Sequence, residues 1–106
     1  MLTAYSRFAQ RIRRRYEHQL ALLPAGVPTP EHLQITFDAL KASGQSSAGA
    51  LRITRQLVLE RLLCLDCDNQ ATLQQVTQAM TDLAEFALHQ ALGEVQTVLD
   101  LSLIHI

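Results

Sequence analysis

An all-α fold of four helices, with the third and fourth folded back on each other as a long hairpin, follows from three features of this sequence. Apolar residues recur at helical spacing on either side of a short polar break at Asp66–Ala71. A capping pattern marks where the second of these runs begins, and proline and glycine punctuate the chain ahead of the first. The stretch that organises the rest is therefore Leu51 to Leu92.

The first helix is predicted over Thr3–Leu23, with Tyr5, Phe8, Ile12, Tyr16, Leu20 and Leu23 as its apolar stripe and most arginines on the other side. Pro24-Ala-Gly-Val-Pro28-Thr-Pro30 breaks it, because proline restricts the residue before it and donates no backbone hydrogen bond. Thr29 then caps a second helix, with Pro30 at its first position and Glu31 at the positive end of its dipole. Leu33, Phe37 and Leu40 give it a narrow apolar stripe, and Gly44 ends it. Gln45 to Gly49 is a loop in which Ser46 or Ser47 caps the third helix. No internal repeat and no strand-like alternation competes with these periods.

In the third helix Leu51, Val58, Leu62 and Leu65 lie on one face, with Ile53, Leu57 and Cys64 on an adjacent one. An apolar surface that wide predicts burial on more than one side. Thr72-Leu-Gln-Gln75 is a capping box, and Leu73, Val76, Met80, Leu83, Ala87 and Ala91 are the expected buried seam of the fourth helix. The short break makes the two helices antiparallel neighbours, placing position i opposite roughly 138 − i. Arg55 then falls level with Leu83, and the expectation is a register-fixing ion pair from Arg55 to Asp82 or Glu85.

A chain of 106 residues is one domain at most, and five aromatics with no tryptophan leave its core to aliphatic side chains. The net charge is −1, unevenly spread: Arg7, Arg11, Arg13, Arg14 and Arg15 crowd the start, while six acids and no Lys or Arg follow Arg61. No apolar run approaches the roughly 20 residues of a membrane span, and arginines interrupt the start too early for a signal peptide. The expected compartment is the cytoplasm, with no membrane partner. Leu101-Ser-Leu-Ile-His-Ile106 matches the translation of a transposon end used as a sequencing adapter. Residues 1–100 are thus expected to be one helical segment and 101–106 an adapter-derived tail, with the natural frame cut near Asp100.

Cys64-Leu-Asp-Cys67 has C-x-x-C spacing, but a helix carboxyl end disfavours a thiolate and no second pair completes a zinc site. Both are expected to be ordinary buried or half-buried cysteines. His18, His32 and His89 fall on three different elements without ligand spacing, and Met80 is expected in the core. The Arg11–Arg15 run is expected to be a solvated face, or to dock on the acid-rich second arm, so nucleic acid is not the expected partner. Gly26, Gly44, Gly49 and Gly93 sit singly at element ends, which is not a phosphate-cradling loop, and Asp66-Cys-Asp68 marks a helix terminus. No catalytic, cofactor-binding or metal-ligating residue emerges.

Leu51-Arg52-x-x-Arg55, Arg61-Leu62, Asp66, Val76, Met80 and Leu83-Ala84-Glu85 resemble the helical lead-in to a nucleotidyltransferase domain. The family is the bifunctional glutamine synthetase adenylyltransferase / adenylyl-removing enzyme. Tyr5-Ser-Arg-Phe8, Arg13-Arg-Arg-Tyr16 and Leu22-Leu-Pro24 resemble the amino-terminal leader of some members, so the likeness covers most of residues 3–92. The resemblance implies a parent enzyme that attaches or removes AMP on a tyrosine of glutamine synthetase. It implies magnesium and ATP as cofactors of that parent, and control by a small nitrogen-signalling protein. The family's G-x-G turn and D-x-D carboxylates lie downstream of what is present here, so no catalytic residue carries over. This chain is then an inactive scaffold, from the amino-terminal half, for a downstream nucleotidyltransferase domain of the same polypeptide. The alternative is a free-standing helical interaction module whose arginine-rich helix contacts nucleic acid or a protein.

Overall fold

A computed structural model describes the backbone of residues 3–67 and 70–104, and the side chains of 7–66 and 70–93. Four α-helices make up the fold: α1 (Thr3–Arg15), α2 (Pro30–Ala42), α3 (Ser47–Cys67) and α4 (Leu73–Ile104). A short 3-10 turn, Leu20–Leu22, lies between α1 and α2. No strand occurs among the described residues.

The local chemistry of the helix ends accounts for most of these boundaries. Thr29 Oγ1 accepts from the His32 amide at 3.2 Å, with Pro30 at the first helical position of α2. At the other end Gly44 takes φ = 108°, a conformation that costs a side chain but not glycine. There the Gly44 amide reaches Lys41 O and the Gln45 amide reaches Leu40 O, the two crossed bonds of a Schellman cap. Ser46, rather than Ser47, caps α3, its Oγ accepting from the Gly49 amide at 3.0 Å. Thr72 and Gln75 form the reciprocal box: the Thr72 amide donates to Gln75 Oε1 at 2.8 Å, and the Gln75 amide to Thr72 Oγ1 at 3.1 Å.

The core is aliphatic, and α3 runs through its middle. Ala50, Ile53, Leu57, Val58, Leu62 and Leu65 are all buried, so α3 packs against α1, α2 and α4 at once. From α1 comes Ile12, from the connection Tyr16 and Leu23, and from α2 Leu33, Phe37 and Leu40. The rings of Phe37 and Phe86 meet edge to face, 5.4 Å between centroids at 77°, and tie α2 to α4. Ala48 and Ala87 share a groove with Arg55 and Leu83, as antiparallel running of α3 and α4 requires.

Two expectations are corrected. The first helix ends at Arg15 and not at Leu23. The chain turns there because Tyr16 O accepts from both the Gln19 and Leu20 amides, which swings Leu23 into the core. The Leu22 carbonyl then accepts from the buried Thr36 hydroxyl at 3.2 Å. The seam of α4 is also rotated from the expected one. Ala79 and Leu83 are buried and Val76, Phe86 and Ala87 half-buried, whereas Leu73, Met80 and Ala91 face solvent. The small Ala79 admits close helix approach, and the Phe86 ring gains its contact with Phe37 only in this rotation. The backbone of α4 continues as helix to Ile104, past the expected tail boundary at Asp100.

Candidate functional site

Glu60 is the pivot of the main polar cluster. It sits on α3 with only 7% of its surface exposed, because Leu57 and Val58 carry that part of the helix into the core. A buried carboxylate needs donors. Arg13 of α1 supplies one, Nε to Oε1 at 2.6 Å, and the Cys64 thiol one turn along α3 supplies a second at 3.1 Å. Arg13 Nη2 also donates to Cys64 Sγ, which closes the triangle. The hydrogen bond to Glu60 raises Arg13 above the ordinary guanidinium range. Burial raises the Cys64 thiol above its ordinary value, Glu60 adds to that shift, and the Arg13 charge opposes it. Such a thiol is a poor nucleophile at neutral pH, and the cluster's chemistry is cohesion between α1 and α3.

Arg61 forms the second cluster. Its Nη1 donates to Pro24 O at 2.5 Å and Gly26 O at 3.0 Å, and its Nη2 to Leu23 O at 3.2 Å. Gly26 has φ = 93°, which turns its carbonyl back toward α3. The planar fork thus pins the proline-rich connection onto the central helix.

The residues singled out from the sequence fall in two separate grooves. Arg55 lines one of about 320 Å³ between α3 and α4, with Ala48, Leu51, Arg52, Leu83 and Ala87. Asp82 and Glu85 line another of about 330 Å³ between α2 and α4, with Pro30, Gln34, Phe86 and His89. No hydrogen bond or ion pair joins Arg55 to either acid among the described residues, and Asp82 Oδ1 accepts from Gln78 Nε2 at 2.9 Å. The reason is angular: with Leu83 turned to α3, positions 82 and 85 lie about 100° and 160° round the helix from it.

Of the histidines, His18 and His89 are exposed and His32 is half-buried on α2. Among the described residues no three His, Cys, Asp or Glu side chains gather as metal ligands. No described helix is long and apolar enough to cross a membrane. Arg7, Arg11, Arg14 and Arg15 are exposed on α1, and Arg15 lies over the Tyr16 ring at 5.5 Å. Sequence spacing had marked the arginines of α1 but not the choice of Arg13, nor Glu60 as the residue that ties α1 to α3, nor Arg61 as the one that pins the connection onto α3. The one available signal was an acid and an arginine at successive positions in the otherwise apolar run from Leu57 to Leu65.

No protein-family model and no solved structure matches this chain. The chain spans 10% of the length of the curated relative it matches. Over 95 residues, 88% of this chain, it is 38% identical to the bifunctional glutamine synthetase adenylyltransferase/adenylyl-removing enzyme of Chromobacterium violaceum.

Proposed function

We propose that this chain is an amino-terminal helical scaffold of a glutamine synthetase adenylyltransferase / adenylyl-removing enzyme. The observation that carries the proposal is the 38% identity sustained over 88% of the chain. The geometry supports a scaffold role: the polar clusters at Glu60 and Arg61 bind elements together, and neither presents an activated group to an open pocket. The parent would attach or remove AMP on glutamine synthetase in the cytoplasm, under a small nitrogen-signalling protein, with the catalytic carboxylates in a nucleotidyltransferase domain downstream. Magnesium and ATP belong to that domain. The described residues here offer no carboxylate cluster that fits the ion.

The test has two arms. Continuing the open reading frame past Asp100 is expected to reach a G-x-G…D-x-D block, and a stop codon with no such block ends the proposal. The protein encoded by the continued frame is expected to remove AMP from adenylylated glutamine synthetase, while purified residues 1–106 show no turnover. Turnover by the short chain would overturn its scaffold role.

The exposed Arg7, Arg11 and Arg14, at i, i+4, i+7 spacing on α1, support the second reading of an interaction module. Salt-sensitive binding of the short chain to duplex or single-stranded nucleic acid would favour that reading.

A further inference from the structure

We infer that the groove between α3 and α4 at Arg52 and Arg55 is a binding site for a small dianion carried on an apolar body, of the phosphate-monoester class. Nothing in this site depends on the chemistry of the proposed parent enzyme.

Four other cations have partners close by. Arg13 is held by Glu60 and Arg61 by three carbonyls, while Arg15 lies over Tyr16 and Lys41 Nζ over the Phe37 ring at 5.7 Å. Arg7, Arg11 and Arg14 stand exposed on the outer face of α1. Arg52 and Arg55 differ from both groups: they are exposed, take no hydrogen bond or ion pair among the described residues, and converge on a concavity. Three positions apart on one helix, their like charges oppose one another. No acid lines the groove, whose other walls are Ala48, Leu51, Leu83 and Ala87. The first turn of α3 holds no acid either, and Ala48 brings the positive end of that helix dipole to the same place. Apolar walls concentrate such a field, which favours an anion of matching charge.

Charge and size select the class of ligand. Two guanidinium forks match the two negative charges and three terminal oxygens of a phosphate monoester, whereas a monocarboxylate carries one charge and fills one fork. The groove holds about 320 Å³, near the small end of the roughly 300–1,000 Å³ range of small-ligand sites. From Ala48 to Arg55 it runs about 10 Å at 1.5 Å per residue, which suits a ring with its headgroup and is short for a docked helix. The two alanines and two leucines of its walls have no polar side-chain atom. They accept a hydrocarbon or aromatic body and leave sugar hydroxyls without partners.

The experiment titrates residues 1–106 with phenyl phosphate at about pH 7.5, where a phosphate monoester is close to doubly charged, and follows arginine Nε–H and leucine methyl signals by NMR. Arg52, Arg55, Leu51 and Leu83 are expected to shift together and Arg14 to stay put; equal shifts at Arg14 and Arg55 overturn the inference. At one ionic strength, phenyl phosphate is expected to bind about tenfold more tightly than inorganic phosphate, which lacks the body, glucose 6-phosphate, whose body is polar, and phenol, which lacks the charge. Any of the three binding as tightly overturns it. Arg52→Gln with Arg55→Gln is expected to weaken phenyl phosphate about tenfold with the melting temperature held within about 4 °C, because neither side chain has a partner to lose. Arg14→Gln is expected to change the affinity less than about twofold, since its charge faces away from the groove. Equal losses in the two variants would make the binding nonspecific and overturn the site. Ala48→Trp, at an exposed position, fills the groove with both charges left in place and is expected to abolish binding; unchanged affinity would put the ligand elsewhere and overturn the inference.

Discussion

Arg13 and Glu60 are 47 residues apart in sequence and 2.6 Å apart in space, an exposed-side guanidinium reaching a carboxylate that the core has almost closed over. Removing Arg13 leaves that carboxylate with the Cys64 thiol as its described donor, so the loss exceeds that of an ordinary surface pair. A double-mutant cycle on Arg13→Ala and Glu60→Ala is expected to give a coupling of about 1–2 kcal/mol, held down by the 51% exposure of the Arg13 side chain. The same cycle on Arg55→Ala and Asp82→Ala is expected to close within about 0.4 kcal/mol, since the two residues line different grooves. Equal couplings in the two cycles would refute this account of what holds the helices in register.

The raised Cys64 thiol sets a pH dependence with a definite sign. In the unfolded chain the thiol loses its proton near its ordinary value, about 8.5, while the folded protein holds it to higher pH. The unfolded state therefore binds fewer protons as pH rises through that value, and stability falls. Melting temperatures followed from pH 7 to about pH 10 are expected to decline less steeply in Cys64→Ala than in the parent chain. Parallel declines would show that this thiol titrates alike in both states.

Arg61→Lys is expected to destabilise by about 1–2 kcal/mol although the charge is kept, because an ammonium cannot span the Leu23, Pro24 and Gly26 carbonyls in one plane. Arg61→Ala should cost more. Urea midpoints at constant m-value measure both, and a fully stable lysine variant would show that charge alone holds the connection down.

Deleting residues 101–106 is expected to change the melting temperature by less than about 4 °C, equivalent to roughly 1 kcal/mol for a domain of this size. The motivation is the adapter-like Leu-Ser-Leu-Ile-His-Ile ending, which would have no evolved partner surface even though the backbone of Leu101 to Ile104 continues α4. A larger drop would mean that these residues pack.

What could be read from the sequence was local. The Thr29–Pro30 start, the Gly44 stop and the Thr72–Gln75 box each rest on residues within five positions of one another, so local sequence alone places them. The width of the apolar surface on α3 likewise foretold burial on several sides, as Leu57, Val58 and Leu62 show. What could not be read was rotation. Whether α4 turns Met80 or Ala79 inward depends on where Phe86 finds Phe37, 49 positions away, and both phases satisfy the same helical period. The expected Arg55 pairing inherited that ambiguity, because a rotation of one residue moves Asp82 and Glu85 into the neighbouring groove. Arg13 was one of five arginines with similar spacing, and only the crossing of α1 over α3 selects it.

The central place of α3 has a consequence for how the protein is made. α1 and α2 bury their apolar stripes chiefly on α3, which is synthesised after both. During translation Ile12, Leu33 and Phe37 therefore leave the ribosome before the surface that covers them exists. The first half of the polypeptide must wait with its stripes uncovered, and compaction starts only when Ile53 to Leu62 have emerged. A pause in elongation just before Ser47 would prolong that interval, whereas one after Cys67 would give α1, α2 and α3 time to close before α4 arrives.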